Sequence, residues 1–219
     1  MKRTKRRTTY HHGDLRRTLI GAALAAVERH GPDAVSLRGV ARDAGVSQAA
    51  PYNHFADKDA LLAAVAAEGF RRFADVLARD AAAARSPQAR LAALGRAYVA
   101  FAHGHAAMFR LMFGPALARA AKDSELAQAA KASYAMLQGA TGGPTGAVAP
   151  PAHDAPPAEA LAAWALVHGL ATLVIDGQIA VPDSGPGALF DAVIARTRIG
   201  PVPETPRGAS ALSEPPPRA

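Results

Sequence analysis

The stretch from 36 to 62, SLRGVARDAGVSQAAPYNHFADKDALL, constrains this chain more tightly than any other part of it. Ser36 is a good N-cap, and Leu37, Val40 and Ala41 recur at helical spacing until Ala44-Gly45-Val46 breaks the pattern. Gly45 suits a tight turn, because glycine alone enters the left-handed region without steric cost. Ser47 is positioned to cap a second, shorter helix, its hydroxyl taking the amide of Ala50. Pro51 falls near the end of the first turn, where its missing N–H costs one helix bond at most. Tyr52 and Phe55 share a face, and Asp57 can cap the next helix. The pattern is a helix-turn-helix, and a short second helix with small residues at its start is what a DNA major groove admits.

The segment GVSQAAPYNHFADKDALL resembles the signature of TetR-family transcriptional regulators, carried by Tyr52, His54, Phe55 and Lys58. The likeness extends outward to a first helix over 13–31. More loosely, AAWALVHGLATLVIDG, residues 162–177, resembles the Trp-His-Gly type of ligand-binding domain. The resemblance implies that Gln48, Ala49 and Asn53 face base edges beside Ser47, with Arg38 reaching in from the preceding helix. It implies phosphate contacts for Tyr52, His54 and Lys58. The chemistry agrees: Gln and Asn bond adenine, Arg reads guanine, and Ala49 can meet a thymine methyl. One departure is Gly39, where relatives commonly carry a Glu that closes a capping box with the serine.

Alanine is abundant, aromatics are few and β-branched runs are nearly absent, which points to an all-α protein. We expect an N-terminal three-helix unit over 13–60, joined by a long helix to a helical ligand-binding and dimerisation domain over 61–199. Residues 1–12 read as a basic arm, since Lys2, Arg3, Lys5, Arg6 and Arg7 carry much of the net charge of +7. Beside a helix-turn-helix such an arm suits phosphate or minor-groove contact, or serves as a solubilising tail. A proline-rich tail over 200–219 and the Gly/Pro-rich stretch 139–157 read as unpacked.

Further helices are expected over 57–84, 88–103, 108–113, 123–138, 159–181 and 186–199. The helix from Glu159 is apolar nearly all round and must be covered on every side, by its own core and by a second subunit, or wholly from within. The resemblance favours a homodimer through the last two helices, matching a palindromic site. The run Ala160–Ile175 falls short of a membrane span and carries His168, so no membrane is expected and a cytoplasmic location is.

No cofactor or metal is expected. GATGGPTG has no Gly-Lys-Ser/Thr after it and no strand before it, and His103 and His105 diverge on a helix. No Gly-x-Ser-x-Gly elbow exists, and cysteine is absent, so an enzyme is not expected. Phe101, Met108, Phe109, Met112 and Phe113, with Trp164 and His168, gather much of the aromatic and Met content. They either fill gaps in an alanine-rich bundle or line an apolar cavity for an unidentified small-molecule effector. Ala107 and Ala165 are positions where added bulk would fill that cavity. Gly69, inside the long helix, is either a flexing point or a site of close packing. The function expected is a ligand-responsive regulator binding double-stranded DNA, a repressor released by a small apolar effector, the alternative being a constitutive or architectural DNA-binding regulator.

Overall fold

In a computed structural model describing residues 12–119, 124–140 and 158–197, the regular structure is helical throughout. The basic arm up to residue 11, most of the Gly/Pro-rich stretch and the C-terminal tail lie outside the described residues. Helix α1 (His12–His30) is followed by a 3-10 turn (Pro32–Ala34), α2 (Leu37–Asp43) and a second 3-10 turn (Ala50–Asn53). Then come α3 (Lys58–Ala81), α4 (Pro87–Gly104), α5 (Ala106–Met112) and α6 (Pro115–Ala118). Helices α7 (Glu125–Ala140), α8 (Ala158–Ile175) and α9 (Pro186–Ile194) complete the described chain.

Side-chain caps set four of these starts, one of them α7, where Ser124 Oγ accepts from the Ala127 N–H at 3.2 Å. Ser36 Oγ accepts from the Gly39 N–H at 3.1 Å, Asp57 Oδ1 from Ala60 at 2.8 Å, and Ser86 Oγ from Ala89 at 3.1 Å. Each satisfies an amide that the helix itself leaves unpaired. Gly45 takes φ 68° in the turn after α2, the left-handed geometry that its position demands.

Helix α3 runs through both halves of the molecule. It packs on α1 near its start and on α4, α5 and α7 further along. One apolar core therefore extends from Leu19 and Val27 in α1, through Leu61, Val65, Phe70 and Phe73 in α3, to Phe190 in α9. At Gly69 the approach of α5 is close: a Cβ there would stand 2.8 Å from Met108 Sδ and 2.9 Å from Met112 Sδ. Of the two sequence readings, close packing is the one found.

Two helices end earlier than the sequence suggested. Helix α8 stops at Ile175 rather than near 181, because Gly177 turns left-handed with φ 69°. The Arg110 guanidinium from α5 holds that end, donating to the Ile175 carbonyl and to Asp176 Oδ1. Helix α9 likewise stops at Ile194 rather than Ile199. Helix α8 is also longer than the apolar run 160–175 that falls short of a membrane span. Helix α8 begins at Ala158 and reaches 18 residues, long and apolar enough by length and composition to cross a membrane. In this fold it packs against α4 and α7.

Candidate DNA-reading surface and interior cavity

The second helix of the expected helix-turn-helix is a 3-10 turn. Its bonds run from Ala50 N–H to the Ser47 carbonyl at 3.0 Å, Tyr52 to Ala49 at 3.2 Å, and His54 to Pro51 at 2.9 Å. Pro51 supplies the reason, since its ring has no N–H to give Ser47 and crowds that carbonyl in an α-helix. The Ser47 hydroxyl cap is not formed, because the Ser47 backbone carbonyl takes the Ala50 amide instead.

Pro51 and Phe55 are buried beneath this turn, which leaves Ser47, Gln48, Ala49, Tyr52 and Asn53 exposed on its outer side. Tyr52, 53% exposed, is unusually open for a large ring. Arg38 is exposed on α2 and borders the same groove as Gln48, together with Arg29 and Arg42. Those last two arginines escaped the sequence reading, because nothing local marks which face of α1 and α2 meets the turn. Lys58 sits in the first turn of α3 and donates to the Asp33 carbonyl at 2.9 Å. His54 is half-buried, and its Nε2 is out of contact with solvent and has no hydrogen-bond partner among the described residues.

Charged contacts tie this unit to the rest of the molecule. Arg16 of α1 pairs with Glu125 of α7 at 2.6 Å and lies over the Phe55 ring, 5.6 Å from its centroid. Glu125 also pairs with Arg71 of α3, which reaches Glu68 at 2.8 Å. Burial alone would raise the Glu125 carboxyl, but hydrogen bonds and charge from Arg16 and Arg71 outweigh it and hold its pKa below the ordinary value. His105 Nδ1 makes a second tie, 2.9 Å from Glu28 Oε1 in α1.

Between α3, α4, α7, α8 and α9 lies a cavity of about 70 Å³. Phe113 and Trp164 stand on its wall, as do Phe73, Tyr98, Tyr134 and Phe190. Phe101, Met108, Phe109 and Met112 do not; they are buried in the core around it. Ala107 and Ala165 also miss the wall, Ala165 being exposed on the far face of α8. His168 stands one layer behind, its ring stacked on Phe109 at 5.4 Å. Its Nδ1 is 2.8 Å from the Tyr98 hydroxyl, and burial lowers its pKa and so favours the neutral ring, which shares one hydrogen bond with that hydroxyl. The Trp164 side chain in turn hydrogen-bonds Tyr98, whose own pKa is raised mainly by burial. The relay Trp164–Tyr98–His168 thus satisfies three polar groups at once. Tyr98 and Tyr134 had no sequence signal beyond the scarcity of aromatics, because wall membership depends on how five helices meet.

Residues 19–65 match the family described as bacterial regulatory proteins, tetR family, and residues 91–197 match the tetracyclin repressor-like C-terminal domain. The chain belongs to the TetR family and is a DNA-binding transcription regulator. Among solved structures it is similar to a protein with unknown function from Rhodococcus sp. RHA1, 37% identical, TM-score 0.66, covering 86% of this chain and 95% of that one. It is similar in fold to a TetR-family member from Streptomyces coelicolor A3, 23% identical, TM-score 0.61, covering 86% and 99%. The multidrug binding protein EbrR, complexed with imidazole, shares the fold at 21% identity, TM-score 0.60, covering 93% and 100%. No curated protein matches the chain.

Proposed function

We propose that this chain is a homodimeric, non-enzymatic repressor of the cytoplasm, released from a palindromic operator by a small apolar effector bound in the interior cavity. The observation that carries the reading is the pairing of an exposed recognition turn with an apolar cavity on the one helix, α3, that serves both. Gln48, Ala49 and Asn53 read bases with Arg38, while Ser47, Tyr52, His54 and Lys58 meet phosphates or fix the turn. Lys58 keeps two ammonium protons for a phosphate beside the one given to the Asp33 carbonyl, whereas His54 Nε2 needs a movement that uncovers it. Phe113 and Trp164 touch the effector directly; Phe101, Met108, Phe109, Met112 and His168 shape the wall from behind. Trp164, His168 and Gly169 are the residues that make this a Trp-His-Gly type of ligand-binding domain.

The dimer reading is supported by α8. Leu161, Ala162, Ala165, Gly169 and Leu173 are all exposed at helical spacing, an apolar stripe whose small residues admit close approach of a second helix. The small-ligand reading has support from EbrR, a fold neighbour complexed with imidazole.

Selection of binding sites from random DNA with the purified chain tests the regulator reading. We expect a palindrome whose half-sites sit about one helical turn, 34–36 Å, apart. Asn53→Ala should then relax preference at one base position, whereas Lys58→Ala should weaken all sequences alike and flatten the salt dependence. A monomeric footprint, or equal loss of specificity from both variants, would overturn this division of labour.

A further inference from the structure

Among the described residues, one side chain bordering the cavity carries a buried polar group without a partner. Ser133 donates its hydroxyl proton to the Ala130 carbonyl at 2.8 Å, and Tyr98 is engaged by His168 and Trp164. The Tyr134 hydroxyl, on a side chain only 8% exposed, has no hydrogen-bond partner among the described residues. A buried hydroxyl left unpaired costs on the order of 1–3 kcal/mol; Tyr134 borders the cavity while its hydroxyl is closed off from it, so a partner entering from the cavity reaches the hydroxyl only as wall side chains shift. No acidic or basic side chain lines the cavity among the described residues. A charged ligand would therefore be buried without compensation. Size sets the remaining limit: about 70 Å³ is less than half the roughly 150 Å³ that takes benzene in an engineered apolar cavity. In its present shape the space does not hold a ring, so even a single ring enters only as wall side chains give way.

Resting on the effector reading above, we propose that the cavity takes an uncharged, mainly apolar molecule of about one ring, bearing one hydrogen-bonding group that the Tyr134 hydroxyl holds. Trp164, the sole tryptophan of the chain, lies edge-on to Tyr134 with ring centroids 5.6 Å apart and reports occupancy directly.

Tryptophan fluorescence of the full chain titrated with phenol, toluene and benzoate tests this, in wild type and in Tyr134→Phe. Removing an unpartnered hydroxyl should leave the melting temperature equal or higher, so the variant folds. We expect phenol to bind roughly tenfold more tightly than toluene, as one buried hydrogen bond provides, and that ratio to fall near one in Tyr134→Phe. Benzoate should not bind. Equal binding of phenol and toluene, a ratio unchanged by the substitution, preferred binding of benzoate, or binding of none of the three overturns the proposal. Operator affinity separates the two readings. Phenol held by Tyr134 that leaves operator binding unmoved refutes the effector reading but supports this ligand class. Release of the operator by benzoate does the reverse.

Discussion

Arg16 in α1 and Glu125 at the start of α7 are joined at 2.6 Å, so the helix that carries Tyr134 on the cavity wall is tied to the DNA-reading unit. From the sequence, α3 is the continuous connection between the halves. The structure adds this lateral one. Arg16 also covers Phe55, the residue that closes the recognition turn from beneath. Movement of α7 would thus reach the turn without any tilt of α3.

Loss of this tie should affect DNA binding more than folding. Both partners are about two-fifths exposed, so the pair contributes only about 0–1 kcal/mol to stability. Arg16→Ala should shift the melting temperature little, yet weaken operator binding by roughly 2- to 30-fold. Gel shifts beside thermal melts measure both. A large loss of stability with unchanged operator affinity would reduce the pair to a plain structural contact.

The same carboxyl gives an acid limit. The folded-state pKa of Glu125 lies below the ordinary value, so its stabilising effect is present above that ordinary value. It is lost as pH falls through the lower folded value. Glu125→Gln should therefore flatten the acid end of a stability–pH curve relative to wild type.

His168 acts in the opposite range. Burial lowers its pKa from the ordinary 6.5, so the folded state favours the neutral ring while the unfolded chain takes up a proton first. Stability should be full above about 6.5, fall as pH drops through that value, and level off below the folded-state pKa. In His168→Asn, whose amide oxygen can still accept from Tyr98, this slope should vanish. Persistence of the slope would assign it to another histidine.

Gly39 and Gly69 should respond oppositely to alanine. At Gly39 a Cβ meets only Ser36 Oγ at 3.0 Å within close range, a neighbour at the surface that can yield by a few tenths of an ångström. Gly39→Ala should stabilise by up to about 1 kcal/mol through helix propensity, and Gly39→Glu by a little more as the capping box closes. Gly69→Ala drives a methyl into two fully buried methionines and should destabilise by about 1 kcal/mol net, overpacking outweighing propensity. Chemical denaturation of the three variants checks the signs.

Local chemistry was readable without the fold. Ser36, Asp57 and Gly45 announce their roles because a cap or a left-handed turn depends on a few adjacent backbone groups, and the structure has each in place. The recurrence of Leu15, Leu19, Ala23 and Val27 every four residues likewise marks the buried face of α1, where the last three are fully buried. Pro51 shows where local chemistry stops: its missing donor is visible in the sequence, but the ring's pressure on the Ser47 carbonyl makes the expected helix a 3-10 turn. What tertiary structure alone decided was which large side chains border empty space. Met108, Met112 and Trp164 are alike in the sequence as bulky residues in an alanine-rich bundle. Two of them fill the space opened by Gly69, while the third stands on the cavity beside Tyr134. Periodicity fixes the face that a helix buries; the distance between two buried faces depends on every side chain packed between them, and no single segment encodes it.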